Sequence, residues 1–280
     1  MNKTSPMTLA LLVLLSGCAH TGAAWRINDP AADARGPGSF ELPAHHDLRR
    51  DELDLRRVEL ARTNDGWKIE ITFASRLHLF EIRPARDEVR RVFLPTVDVY
   101  FRTGGEEPVF DALPGRRVRI AGGWQRAVVI SPLPELSAEA IRGKRGLRQR
   151  VFVAPHAKVA GRSLRTLVPL EFLGERWPEA VAVLVCASAF TSSFRIVDRL
   201  RDEWESGGAI MPVLAYPSGD CRLDGDPARA CHLTGCKPCG GHPQVVDVLA
   251  PEGLQQSWLS DYTVDRPATV EALEIGAPSE

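Results

Sequence analysis

Two groups of metal-ligand side chains stand out in the residue order. The first is Asp29 and Asp33, in the run DPAADARGPGSFELP over residues 29–43. Carboxylates and carbonyls converging from a Gly-rich turn suit Ca2+, which takes about 6–8 oxygen ligands. Two aspartates four residues apart are too few for this alone. The plainer reading is a structural turn whose Asp side chains accept from backbone amides. The second group is Cys221, Cys231, Cys236 and Cys239, with His232 and His242 interleaved. Four thiolates, or three with an imidazole, would satisfy tetrahedral zinc, and Cys236/Cys239 has knuckle spacing. Only one such pair is present, however, and an oxidising compartment would close the four thiols as two disulfides in one of three connectivities. Disulfides are therefore expected ahead of zinc. A redox-active pair ranks third, because no βαβ pattern surrounds it. Cys186, in an apolar run, reads as a free buried thiol.

Aromatic side chains supply a different chemistry. Pyranose rings present apolar C–H faces to aromatic rings, so exposed Trp beside polar groups suits sugar binding. Trp177, Trp204 and Trp258 are the ligand-binding candidates, each weighed against a place in the core. Trp124 follows Gly122-Gly123 at the start of a strand and is assigned to packing. Gly-x-Ser-x-Gly, His-Glu-x-x-His and Walker patterns are absent from the sequence. Glu106-Glu107 and Asp202-Glu203 read as solvated surface, and His45-His46 as loop residues. No catalytic set emerges, and the expectation is a non-enzyme.

The elements that position these residues are mostly strands. The chain is 44% hydrophobic and 25% charged, a globular composition. Lys+Arg is 35 and Asp+Glu 36, and this balance argues against nucleic acid as a partner. Short β-branched and aromatic runs recur at 67–73, 77–82, 97–101, 118–120, 127–130, 151–153, 164–173 and 180–190, punctuated by Gly and Pro. This predicts an all-β fold, a β-sandwich with a few short helices (196–204 and 252–259) and a Cys-rich loop. The run from Ala180 is too apolar for an edge and belongs at the centre of a sheet. The expected organisation is a signal at 1–17, a lipidated tether at 18–28 and a sandwich at 29–263 with a Cys-rich insertion at 217–244. A tail at 264–280 completes it.

The first eighteen residues read as an address. Lys3 precedes a nearly continuous apolar stretch from Met7 to Leu15, the order of a secretory signal. No apolar run reaches the ~20 residues of a membrane-spanning helix. Leu15-Ser16-Gly17-Cys18 resembles a bacterial lipobox, which implies cleavage before Cys18, acylation of its thiol and a lipid-bilayer anchor. Ala19, where an Asp would retain the protein at the inner membrane, points to the outer membrane. The expected location is the cell envelope.

The order of motifs resembles the C-terminal module of glucodextranase-type proteins, a DOMON-like β-sandwich. The resemblance is carried by Asp29-Pro30 through Asp33, Gly36-Pro37-Gly38 and Pro43, then Asp54-Leu55 and Val97-Asp98-Val99-Tyr100-Phe101. Leu113-Pro114-Gly115-Arg116, Gly123-Trp124, Ala127 to Pro132, Val246-Asp247-Val248-Leu249 and Gln255 to Tyr262 follow in family order. Ala32 and Ala34 depart from it, standing where such modules usually carry Gly and a second Asp. The resemblance implies a carbohydrate or cell-envelope polymer as ligand, with a protein–protein assembly module as the alternative. A zinc or redox protein using the Cys loop is the second alternative.

Overall fold

The structure is a computed structural model. It describes residues 24–36, 49–85, 88–114, 116–187, 189–191, 196–197, 210–211, 243, 245–263 and 265–276. Cys18 and the preceding signal lie outside these residues, as do His45-His46, Trp204, Cys221, Cys231, Cys236 and Cys239.

Strand formation follows the side-chain pattern. In Leu55–Thr63, Leu55, Val58 and Leu60 are buried, and a bulge between Leu55 and Arg57 keeps them in phase on one face. This strand, β2, lies in a five-stranded sheet. Its order is β1 (Ala24–Asn28), β2, β3 (Gly66–Phe73), β12 (Ser163–Val168) and β11 (Lys158–Ala160). A second sheet runs β10 (Val151–Val153), β9 (Arg126–Ile130), β6 (Pro95–Arg102), β13 (Ala180–Ala187) and β17 (Asp247–Val248). There β19 (Leu273–Glu274) also pairs with β13. The run from Ala180 is thus central, between β6 and β17.

This second sheet is covered on both faces, which is why β13 reads as continuous apolar sequence. Val97, Val99, Phe101, Val181, Val183 and Val185 join the core shared with the five-stranded sheet. Tyr100, Ala127, Val129, Ala182, Leu184 and Cys186 face a separate core. A third layer closes that core. It contains a three-stranded sheet, β18 (Ala268–Glu271), β8 (Val118–Trp124) and β7 (Val109–Asp111). Ile141 of α1 (Pro134–Arg142) and Leu259 of the helix Leu254–Ser260 add to it. Two small sheets complete the described strands. One is β4 (Phe80–Ala85) with β5 (Glu88–Val92), and the other is β14 (Ala189–Thr191) between β15 (Ile196–Val197) and β16 (Ile210–Met211). The all-β sandwich expected from the sequence is the architecture, with this additional layer.

Four local expectations differ from the structure. Residues 24–28, expected within the tether, form β1, because Trp25 and Ile27 alternate onto the first core. Ile196–Val197, expected to begin a helix, pairs as a strand with Ala189 and Phe190. The run 164–173 is a strand only to Val168; Pro169, with no amide to donate, precedes the short helix α2 (Leu170–Leu173). Residues 268–274, expected within the tail, form β18 and β19, because Ala268 and Val270 alternate inward onto the second core. The helix Leu254–Ser260, α3, falls where the sequence placed one.

Candidate metal centre

Asp29 follows β1, and Asp33 lies in the turn beyond it. The Asp29 amide donates to the Arg56 carbonyl at 3.0 Å, and the Gly36 amide donates to the Val246 carbonyl at 2.7 Å. Together these bonds fold the turn against the starts of β2 and β17. Within the turn Ala32 takes φ 63°, a left-handed conformation that favours glycine. Asp54 stands one residue ahead of β2, and Asp247 opens β17.

These four aspartates converge. Asp29, Asp33 and Asp247 each bring a carboxylate oxygen within 4.8 Å of the others. Asp54 Oδ2 accepts from the Ala32 amide at 3.1 Å, so it caps the same turn. Asp247 is fully buried; its Oδ2 accepts from Leu55 N at 2.6 Å and its Oδ1 from Val248 N at 3.0 Å. Asp29 Oδ1 accepts from Ala250 N at 2.9 Å. Gln255 of α3 bridges the parts, accepting from Val248 N at 2.8 Å and donating to the Asp33 carbonyl.

Three buried oxygens remain without a partner: Asp29 Oδ2, Asp33 Oδ1 and Asp54 Oδ1. Burial, reinforced by neighbouring aspartates, raises the Asp29 carboxyl to about 8 and Asp33 to about 6. Burial raises Asp54 as well, and it carries Asp247 well above the ordinary carboxylate range. Arg56, 3.8 Å from Asp54 Oδ2, partly offsets this at Asp29, Asp33 and Asp54. Orphaned oxygens on a hard, all-oxygen donor set fit Ca2+ and not the softer ligand set of zinc. Asp29, Asp33 and Asp247 would hold the ion, with Asp54 beside them. Its chemistry there would be structural: charge neutralisation and a cross-link between the two ends of the fold.

The structure therefore brings together the two aspartates singled out in the sequence and adds two that spacing alone did not reveal. Asp54 and Asp247 lay in segments that carried the family resemblance, which was the available signal. Of the aromatic candidates, Trp177 and Trp258 are described, and they are not brought together. Trp177 is half-buried, edge-on to Trp67 at 4.9 Å, and packs on the first core. Trp258 is half-buried against the second core, across the central sheet. Trp124 is buried, donates from Nε1 to the Asp111 carbonyl at 2.9 Å and meets Tyr100 edge-on at 5.3 Å. Its assignment to packing agrees with this. Cys186 is buried in the second core.

A second charged centre lies within the core and was not assigned a role from sequence. Arg116 grips Asp98 through Nε at 2.6 Å and Nη2 at 3.1 Å, and both side chains are essentially fully buried. The Tyr100 hydroxyl donates to Asp98 at 3.1 Å and accepts from Leu113 N at 3.0 Å. Burial pushes the Tyr100 phenol well above its ordinary value. This network holds the segment after β7 onto the central sheet.

No curated protein sequence matches the chain. Among families, residues 25–272 match the C-terminal binding module, SLH-like, of glucodextranase.

Proposed function

The chain belongs to that family of SLH-like, C-terminal binding modules of glucodextranase, and from this premise we propose that it is a non-catalytic binding module. Its ligand is a carbohydrate or a cell-envelope polymer, and the module is carried on the bacterial envelope by an acylated Cys18. The family match across most of the chain is the observation that carries the reading. The covered central sheet supports it as a frame on which outer faces can present a ligand site. The aspartate centre supports a Ca2+-stabilised version of that frame.

Retention of the purified chain on a panel of soluble and insoluble polysaccharides, including peptidoglycan, tests the proposal. Specific retention on at least one polymer is expected. Retention on none would overturn the binding role. A specific protein partner captured in place of any polysaccharide would favour an assembly module instead.

A further inference from the structure

Among the aromatic side chains whose burial is described, Phe110 is the exposed one, at 43% of its surface. It sits in the edge strand β7, between Val109, which packs inward on the second core, and the exposed Asp111. Across the outer face of the third layer, Asp111 of β7 is in register with Arg119 of β8, and Arg119 with Thr269 of β18. All three are exposed. Arg119 Nε lies 3.3 Å from Asp111 Oδ1, and its guanidinium carbon lies 5.6 Å from the centre of the Phe110 ring.

Alongside this row β8 bulges through Gly122 and Gly123, with φ 74° and 71°. A Cβ on Gly123 would lie 2.6 Å from Pro108 Cβ and 3.5 Å from the Phe110 ring. A side chain at Gly123 would therefore press on Pro108 and reach the Phe110 ring. The face thus sets one apolar ring beside a row of carboxylate, guanidinium and hydroxyl.

We propose that the outer face of the β18–β8–β7 sheet, built on Phe110, Asp111, Arg119 and Thr269, is a binding site for a neutral polysaccharide. The Phe110 ring supplies the apolar surface for a pyranose C–H face. Asp111 accepts from sugar hydroxyls, Arg119 donates to them, and Thr269 does either. The paired charges of Asp111 and Arg119 cancel, so the row selects neither an anionic nor a cationic ligand. A polyol satisfies all three polar groups, whereas an apolar partner would strip the ion pair of water without replacing its hydrogen bonds. This site rests on the carbohydrate reading above and locates it.

The test is affinity electrophoresis of the full chain in gels containing laminarin, dextran, pullulan or xylan. The wild-type chain is expected to be retarded by at least one. Phe110→Ala should weaken that interaction about tenfold or more, Phe110→Trp should preserve it, and Arg119→Gln should fall between. Melting curves report folding. If Phe110→Ala melts early, Arg119→Gln and Thr269→Val carry the test, and neither changes a buried group. Wild-type retardation that these variants leave unchanged overturns the site but leaves the carbohydrate reading standing. Retention by peptidoglycan and by none of the neutral polymers does the same. Retention by no polymer at all overturns both.

Discussion

Four carboxylates sharing so little water cannot all ionise cheaply without a cation among them. For Asp29 and Asp33 the ordinary value of 3.8 rises in the fold to about 8 and about 6. A carboxyl raised in this way favours the fold while it is protonated. That contribution is complete below 3.8 and is lost as pH climbs through about 6 and then about 8. Calorimetry in EDTA should therefore show the melting midpoint falling from pH 5 to pH 8. Ca2+ should raise it, and more at pH 8, where the ligands are ionised. At a hundredfold excess over its Kd the ion stabilises by about 2.7 kcal/mol. Asp247→Asn should abolish the Ca2+-dependent shift; a shift equal to that of the wild type would remove Asp247 from the site. The Asp98–Arg116 pair behaves differently, because it is already neutralised. Arg116→Met leaves a buried carboxylate without its guanidinium and should cost about 3–5 kcal/mol in urea unfolding. At this scale the sequence was half legible. Asp29 and Asp33 are local neighbours, whereas Asp247 reaches Leu55 across 192 residues and becomes a ligand candidate only once β17 is placed.

At the scale of elements, strands with long apolar or alternating runs were readable and short ones were not. The segments 67–73, 97–101 and 180–187 all lie within strands. β18 spans four residues and β19 two, too few for periodicity to speak, so they read as tail. β18 nonetheless runs parallel to β8 over four register pairs and buries Ala268 and Val270. A chain ended at Pro267 loses that strand and uncovers Val118 and Ile120. By side-chain burial it should lose at least about 2 kcal/mol of unfolding free energy, measured by urea titration. Unchanged stability would mean that β18 contributes no net burial. α1 was missed for a related reason. Its fully buried positions Ser137 and Ile141 lie four apart, and a serine at the first of them breaks the apolar signal. Gly123→Ala tests the bulge: with Pro108 Cβ only 2.6 Å from the new methyl and φ at 71°, the midpoint should fall and Phe110 should be displaced. Near-UV circular dichroism would report the change around Trp124.

For the whole molecule, the sandwich was legible because burial on one face leaves a period-two trace. The additional layer was not, because β7 and β18 are only three and four residues long, and the apolar run of β13 marks burial on both faces without saying what covers the second. The expected address at the other end has its own measurement. Intact mass of membrane-extracted protein should correspond to a chain beginning at acylated Cys18; an uncleaved Met1 form would exclude the anchor. The position of β1 also has a mechanical consequence. This edge strand is laced antiparallel to β2 over five pairs, from Ala24–Ala61 to Asn28–Arg57, and runs directly into Asp29. Tension applied along the chain ahead of Ala24 loads those rungs together, in shear, with the contacts of Trp25 and Ile27 on the first core, and is then transmitted to the aspartate cluster. The force at which the module yields to a pull should therefore depend on dissolved calcium, with the bound ion acting as a buckle.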